Sequence, residues 1–493
     1  MKYDTLIIGG GLGGLECGYL LSRAGQRVLV LEQGRQPGGC LQSFRRQGMA
    51  FDTGFHYAGG LAEGQSLHAA FRCLGLLDLP WQRLDADGFD CVTIGNRTFP
   101  FVEGYDAFAD RLAEDFPAER MALRRYADLL RRTAEGQWNA LSPCPSETEM
   151  TTRMMETPAW QYLQENFRDP LLIQVLGGTS LKMELRKESL PLFAFLHGNS
   201  CFVESSWRLR GDGSLIAEAL VRGIRAQGGD VVCRAEVREL VERDDRLVRA
   251  VCSNGEAYEG QLFVSDIHPD QTCRMVKDSQ RLRPLFRRRI HGLAQSFGMF
   301  TVSLRLAPRS LRYFNHNHYV YRRPDVWDFH LNNRPVGGVL ASCRVPEDGS
   351  GFARQVDLLT PMTWESCRNW TTRRDADYEE MKRQMADECV ALAGQVVPGL
   401  HEAETVCTST PLTWQRYTLS PEGSAYGLRK DCRAPMLTFL SPRTPIPNLF
   451  LTGQNPGLHG LHGVTMTAFR TCAEILGKET VWDMLHGNGA ANH

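Results

Sequence analysis

The sequence predicts an α/β protein: a discontinuous Rossmann-like dinucleotide-binding domain into which a mixed α+β domain is inserted twice. Three observations carry this. A strand, a glycine turn, a helix and a second strand follow one another within residues 4–32, with glycines at 9, 11 and 14. Further α/β patterning returns at 215–265 and again at 449–476. Between these segments, from about Leu76 to Cys201 and from about His291 to Leu440, the chain is rich in aromatics, prolines and arginines, and its patterning is mixed.

In the first unit, Asp4 to Ile8 reads as a buried parallel strand because its apolar residues run on without alternation. Leu15 to Arg23 reads as a helix that ends at Gly25, a residue suited to a left-handed cap, and Arg27 to Glu32 reads as the second strand. In the middle segment a helix from Leu215 through Ala226 meets the turn Gly228-Gly229. Strands follow at Val231 to Cys233, Val237 to Val241, Leu247 to Val251 and Gln261 to Ser265. The last segment predicts a strand at Leu449 to Thr452 and a helix at Gly463 to Leu476. The cofactor domain is therefore expected at 1–75, 205–285 and 441–480, and the inserted substrate domain at 76–204 and 286–440. A C-terminal tail is expected at 481–493, frayed from His486 to His493.

With 493 residues the chain can bury a large cofactor between two units. Its 56 basic and 57 acidic residues leave a net charge of -1, which argues against nucleic acid as a partner. The N-terminus lacks the long apolar run of a signal peptide, and no stretch is long enough to span a membrane. Fifteen scattered cysteines without a Cys-x-x-Cys pair suit reduced thiols, so the expected compartment is the cytoplasm. Met121 to Arg132 and Leu282 to Ile290 combine basic and apolar residues; a solvated basic face is the default, and peripheral membrane contact is the alternative.

Gly9, Gly11 and Gly14 form G-x-G-x-x-G, spanning Leu12 and Gly13, in the strand-to-helix setting that gives the pattern its force. Gly9 permits the tight turn, Gly11 lets backbone approach a pyrophosphate, and Gly14 lets helix pack on strand. The free N–H groups at the helix start attract phosphate. Glu32, at the end of the second strand, is placed to accept hydrogen bonds from both ribose hydroxyls of an adenosine. FAD and NAD share this fingerprint. After Glu32, however, the chain runs through Gln33 to Gly38, Gly39 and Cys40 as a loop with a glycine pair, in outline like the extension that follows FAD toward its ring. No second fingerprint with strand and helix appears, so a dedicated NAD(P)H domain is not expected and the electron donor or acceptor is unknown.

From Phe51-Asp52-Thr53-Gly54-Phe55-His56-Tyr57 onward the sequence resembles the flavin-dependent phytoene desaturase, carotenoid isomerase and retinol saturase family, closest to the retinol saturase branch. Gly213-Ser214-Leu215 through Gly229 is similar to its second FAD-contacting segment. Val264-Ser265-Asp266 with Pro269 resembles its strand and apolar turn. Thr410-Pro411, Arg416-Tyr417 and Gly423 to Leu428 resemble its late substrate segment, and Asn448 to Gln454 with His462-Gly463-Val464 its C-terminal flavin segment. The resemblance implies a glutathione reductase/amine oxidase type FAD domain. It places Thr53, Gly54, His56, Val237, Gly453, Gln454, His462, Gly463 and Val464 with the fingerprint residues at the cofactor. Gln454 stands where many flavoenzymes have an acid, and Gly-Asp-Gly at 211–213 replaces the usual glycine pair.

A flavin does its own electron chemistry, so the chain need only position an alkene and supply or remove a proton. His56 and Tyr57 are candidate proton donors, with packing in the domain core as the alternative. Tyr426 carries the same ambiguity. His459 and His462 are read as shaping the C-terminal helix opening, and the run Leu190 to Phe202 as core rather than cavity wall. No Gly-x-Ser-x-Gly and no metal-ligand spacing appears. The expected function is saturation of a carbon–carbon double bond in a long apolar polyene, with desaturation and isomerisation as near rivals. More distant alternatives are an amine oxidase and a non-catalytic flavin-binding protein.

Overall fold

The computed structural model describes residues 2–142 and 148–487. The first sheet runs Asp230–Val232, Val28–Leu31, Lys2–Ile8, Ala257–Ser265, with Leu449–Leu451 added beside the last of these; all these pairings are parallel. An antiparallel meander, Val237–Arg243 and Arg246–Cys252, extends from the outer half of Ala257–Ser265. The paired central stretches Leu6–Ile8 and Val28–Leu31 are buried on both faces, and their side chains are leucine, isoleucine and valine without alternation. Three helices, Leu12–Arg23, Ser214–Ala226 and Gly460–Leu476, pack together against this sheet.

Each predicted element of these segments is present, shifted by a few residues. The first helix begins at Leu12 rather than Leu15, because Gly11 already accepts from the Leu15 amide at 3.0 Å. The last begins at Gly460 rather than Gly463. Every strand of this sheet lies within 1–75, 205–285 or 441–480.

The second sheet draws its strands from both insertions. Its order is Glu404–Ser409, Gly298–Arg305, Gln355–Met362, Gly338–Cys343, Asn317–Tyr321, Asp90–Ile94, Arg97–Phe101. Only Asn317–Tyr321 and Asp90–Ile94 run parallel, and they are the junction between the two insertions. The helix Ala376–Ala393 covers one face, while Met299, Leu340 and Leu359 reach from the sheet to a large cavity. Helices from 105 to 204 close the unit through one continuous core.

The tail expected at 481–493 starts later than the sequence suggests. Lys478–His486 is a helix whose Val481 and Leu485 are buried against the cofactor-side core; residues 488–493 lie outside the described residues. The two basic amphipathic segments are helices, Arg120–Glu135 and Pro284–His291. Many of their arginines are already engaged: Arg120 and Arg124 with Asp110, Arg131 with Asp106, and Arg287 with the carbonyls of Leu282 and Val276. Among the described residues no helix is long and apolar enough to cross a membrane.

Candidate active site

A single cavity of about 660 Å³ runs from the glycine fingerprint into the substrate domain. At its first end the parallel strands deliver Gly9 to Gly13 and Glu32. Gly9 holds φ +96, which a side chain would strain, and this turns the chain into the helix. The carboxylate of Glu32 accepts from the amides of Gly10 (2.8 Å) and Gly34 (2.6 Å), which fixes it at the strand end with lone pairs to spare. The loop after it folds back, Gly38 donating to the Gly10 carbonyl at 2.7 Å, so Gly38, Gly39 and Cys40 lie along the fingerprint. Val237, opening the meander, completes this end together with Ala235 and Arg238.

Farther in, Gly54, His56 and Tyr57 meet Gly453 and Gln454 and the N-terminal turn of the helix Gly460–Leu476, with His462, Gly463 and Val464. Of the predicted cofactor residues only Gly14 and Thr53 stay behind the wall. Gly14 packs so closely on Gly9 that a Cβ would have no room, and Thr53 bonds the Gln42 carbonyl. The segment Gly213 to Gly229 does not reach the cavity. It supports the site from behind: Gly213 donates to Asp52 at 2.7 Å, and Ala217 packs under Gly38.

The glycines form a cradle that side chains would fill. A Cβ on Gly13 would lie 2.7 Å from backbone atoms of Gly453, and one on Gly39 3.2 Å from the Gly11 Cα. His197 Nδ1 and Ser424 Oγ, on residues lining the inner half, are buried without a hydrogen-bond partner. Cradle, carboxylate and orphaned polar groups fit a dinucleotide of the FAD type. The residues that would hold it are Gly9, Gly11, Gly13, Glu32, Gly38, Gly39, Cys40, Val237, Gly453 and Gln454. Asp266, missed as a functional residue by sequence reasoning, sits in the same wall. Burial pushes its carboxyl up to about 7 even though the amides of Gly14 and Gly11 favour its charge.

The inner half is apolar, with Met183, Phe202, Met299, Leu340, Leu359 and Trp414 among its lining. The run Leu190 to Phe202 divides: in the helix Leu192–Glu204, Phe193 and Phe195 are core, while Ala194, His197, Gly198, Cys201 and Phe202 line the cavity. The opening is marked by Tyr417 and Leu419, 63% and 38% exposed.

The three candidate proton donors have distinct surroundings. His56 is held down to about 4, by burial first and by the nearby Arg208 guanidinium second. His459 and His462 are likewise lowered to about 4 by burial, so all three imidazoles are neutral at physiological pH. The Tyr57 hydroxyl donates to Asp90 at 2.8 Å and meets the Tyr319 hydroxyl at 2.7 Å; Tyr426 donates to the Leu181 carbonyl at 2.6 Å and stacks on His459. Both phenols are thus committed to protein partners. Beside them lies Lys182, which sequence reasoning missed because nothing local distinguishes it. Its ammonium sits 3.8 Å from the Phe202 ring centroid and 4.0 Å from Asp90 Oδ2, and it lines the cavity. Burial lowers its pKa and the Asp90 carboxylate resists the shift. Replacing Tyr57 by phenylalanine leaves Asp90 one donor short in the interior. A loss of about 1–3 kcal/mol is expected, read by urea unfolding of the FAD-loaded protein.

Fold and cleft together define a dinucleotide-binding α/β architecture with an apolar pocket beside the dinucleotide cradle. A profile of the NAD(P)-binding Rossmann-like domain matches residues 7–74. The chain is similar along nearly its whole length to all-trans-retinol 13,14-reductases and prolycopene isomerases. It is 26% identical to human all-trans-retinol 13,14-reductase over 98% of this chain and 87% of that one. It is 24% identical to prolycopene isomerase 2 of an Oncidium hybrid over 95% of this chain and 82% of the other. A redesigned putrescine oxidase shares the fold, with a TM-score of 0.64, 13% identity and 99% of both chains covered.

Proposed function

We propose that this chain is a FAD-dependent oxidoreductase that acts on a carbon–carbon double bond of a long, apolar, conjugated molecule of the retinoid or carotenoid kind, saturating it. One observation carries the reading: the wall that cradles a dinucleotide continues without interruption into an apolar pocket. The named activities of the relatives, reduction of a retinol and isomerisation of a lycopene, supply the substrate class. FAD, when bound, supplies the two-electron chemistry. The apolar lining orients a polyene and excludes water, while Lys182, held by Asp90, keeps a proton at the inner end.

A protonated amine is a poorer occupant of this pocket, since its charge would face the Lys182 ammonium across an apolar lining. Peroxide release with simple amines would favour the amine oxidase reading. Tyr417 and Leu419 at the opening are the residues over which a lipid-borne substrate would enter; vesicle flotation tests that peripheral contact.

The deciding experiment is anaerobic reduction of the FAD-loaded protein with dithionite, followed by mixing with retinol and carotenoids. Reoxidation of the flavin with a blue shift of the polyene supports saturation. A changed polyene with flavin still reduced supports isomerisation, and an unchanged polyene with every substrate overturns the class. Lys182→Met is expected to lower turnover about 10²-fold while FAD content holds, the size of a lost general acid.

A further inference from the structure

Away from the cleft, the junction of the two insertions brings three ligand-type side chains together. Cys91 on the strand Asp90–Ile94 is the register partner of His318 on Asn317–Tyr321, and His316 precedes the same strand by one residue. Residues 316 and 318 share a face because strand side chains repeat every two residues. One ligand atom from each of Cys91, His316 and His318 lies within 4.8 Å of the others. The two histidine Nε2 atoms are 3.1 Å apart. Two nitrogens on a tetrahedral zinc ion, at about 2.0–2.1 Å each, stand roughly 3.3 Å from one another, so little movement separates this pair from a chelating one.

The imidazole chemistry points the same way. Asp85 lies 3.2 Å from His316 Nδ1, and a carboxylate can only accept there, so His316 carries its proton on Nδ1. Its Nε2 lone pair is thereby aimed at His318. This carboxylate–histidine arrangement is the outer shell that metal-binding imidazoles use. If His318 donates from Nε2 to satisfy that lone pair, its own Nδ1, which is buried and has no partner, is left as an unmatched acceptor. If the proton sits on Nδ1 instead, two lone pairs face each other at 3.1 Å. A cation between the two nitrogens takes up both facing lone pairs of the second arrangement, with the His318 proton then on the buried Nδ1. Phe314 packs 5.4 and 5.2 Å from the two imidazoles and walls one side, while His316, 23% exposed, leaves an entry.

We propose that Cys91, His316 and His318 form a binding site for a single zinc-class divalent cation, with solvent in the fourth position. On binding, the Cys91 thiol gives up its proton to solvent and the sulfur–metal bond forms without any redox change. The site ties Asp90–Ile94 to Asn317–Tyr321, the same two strands whose other face carries Asp90 and Tyr319 of the Tyr57 network. The cation is therefore structural in position, a clamp between the insertions.

The test is equilibrium dialysis of the untagged, FAD-loaded full chain against Zn²⁺, with metal and flavin measured per chain, followed by Co²⁺ substitution. One Zn²⁺ per chain is expected, with a higher thermal midpoint and, for Co²⁺, a thiolate charge-transfer band. His316→Ala and His318→Ala should each abolish the retained metal at unchanged FAD content. Cys91→Ser, which keeps size and shape, should remove the charge-transfer band even if the alanine variants fold poorly. Less than stoichiometric Zn²⁺ on the parent protein, or a band that survives in Cys91→Ser, overturns the proposal.

Discussion

Replacing Gly13 by alanine is expected to strip the protein of FAD. The added Cβ would lie 2.7 Å from the Cα and N of Gly453 and 2.8 Å from Asp266 Oδ1. Gly453 is backbone at φ +82, in the turn between the strand Leu449–Leu451 and the helix Gly460–Leu476, so it cannot swing aside as a side chain would. The helix Leu12–Arg23 must move away from that turn, and both hold the cavity wall. Overpacking of this kind costs about 1–3 kcal/mol, which, where FAD binding requires the close approach, corresponds to roughly a 5-fold to 150-fold loss of affinity. Flavin fluorescence on titration of the FAD-free protein measures it. Unchanged affinity would mean that the approach of helix and turn does not shape the cofactor site.

The second large effect is expected from Asp266→Asn, as a function of pH. Burial raises the Asp266 carboxyl from the ordinary value near 3.8 to about 7 in the folded protein. A raised carboxyl favours folding fully at low pH, and this contribution is lost as pH climbs from about 4 through 7. At about 1.4 kcal/mol per unit, the FAD-free wild type should lose on the order of 2–3 kcal/mol relative to the asparagine variant between pH 5 and pH 8. Denaturant unfolding of both proteins at the two pH values reads the difference, in which the other titrating groups cancel. The amides of Gly11 and Gly14 that face Asp266 are those the fingerprint offers to phosphate. FAD affinity should therefore weaken as pH rises through 7 in the wild type and stay flatter in the variant. A pH-independent gap between the two proteins would place the Asp266 carboxyl in solvent.

What the sequence determined by itself is the part of the molecule built from near neighbours. Gly9, Gly11 and Gly14 specify a turn that few other residues permit, uninterrupted apolar runs specify strands buried on both faces, and Glu32 falls at a strand end by counting. These are short-range constraints, so they survive without knowledge of the rest of the chain. The family resemblance extended them to Gly453, Gln454 and the His462 turn, which line the same cavity. The helix Lys478–His486 escaped because its short apolar pattern gains meaning only from the core it docks on.

The partnerships across long separations come from the folded chain alone. Tyr57 reaches Tyr319 from 262 residues away, Tyr426 reaches Leu181 from 245, and these contacts commit both hydroxyls before any substrate arrives. Lys182 becomes a chemical group in the cavity through Asp90, and Cys91 meets His318 because the two insertions share a sheet. A side chain's pKa and reach depend on burial and on the charges folded against it, and neither is written in its neighbours along the chain.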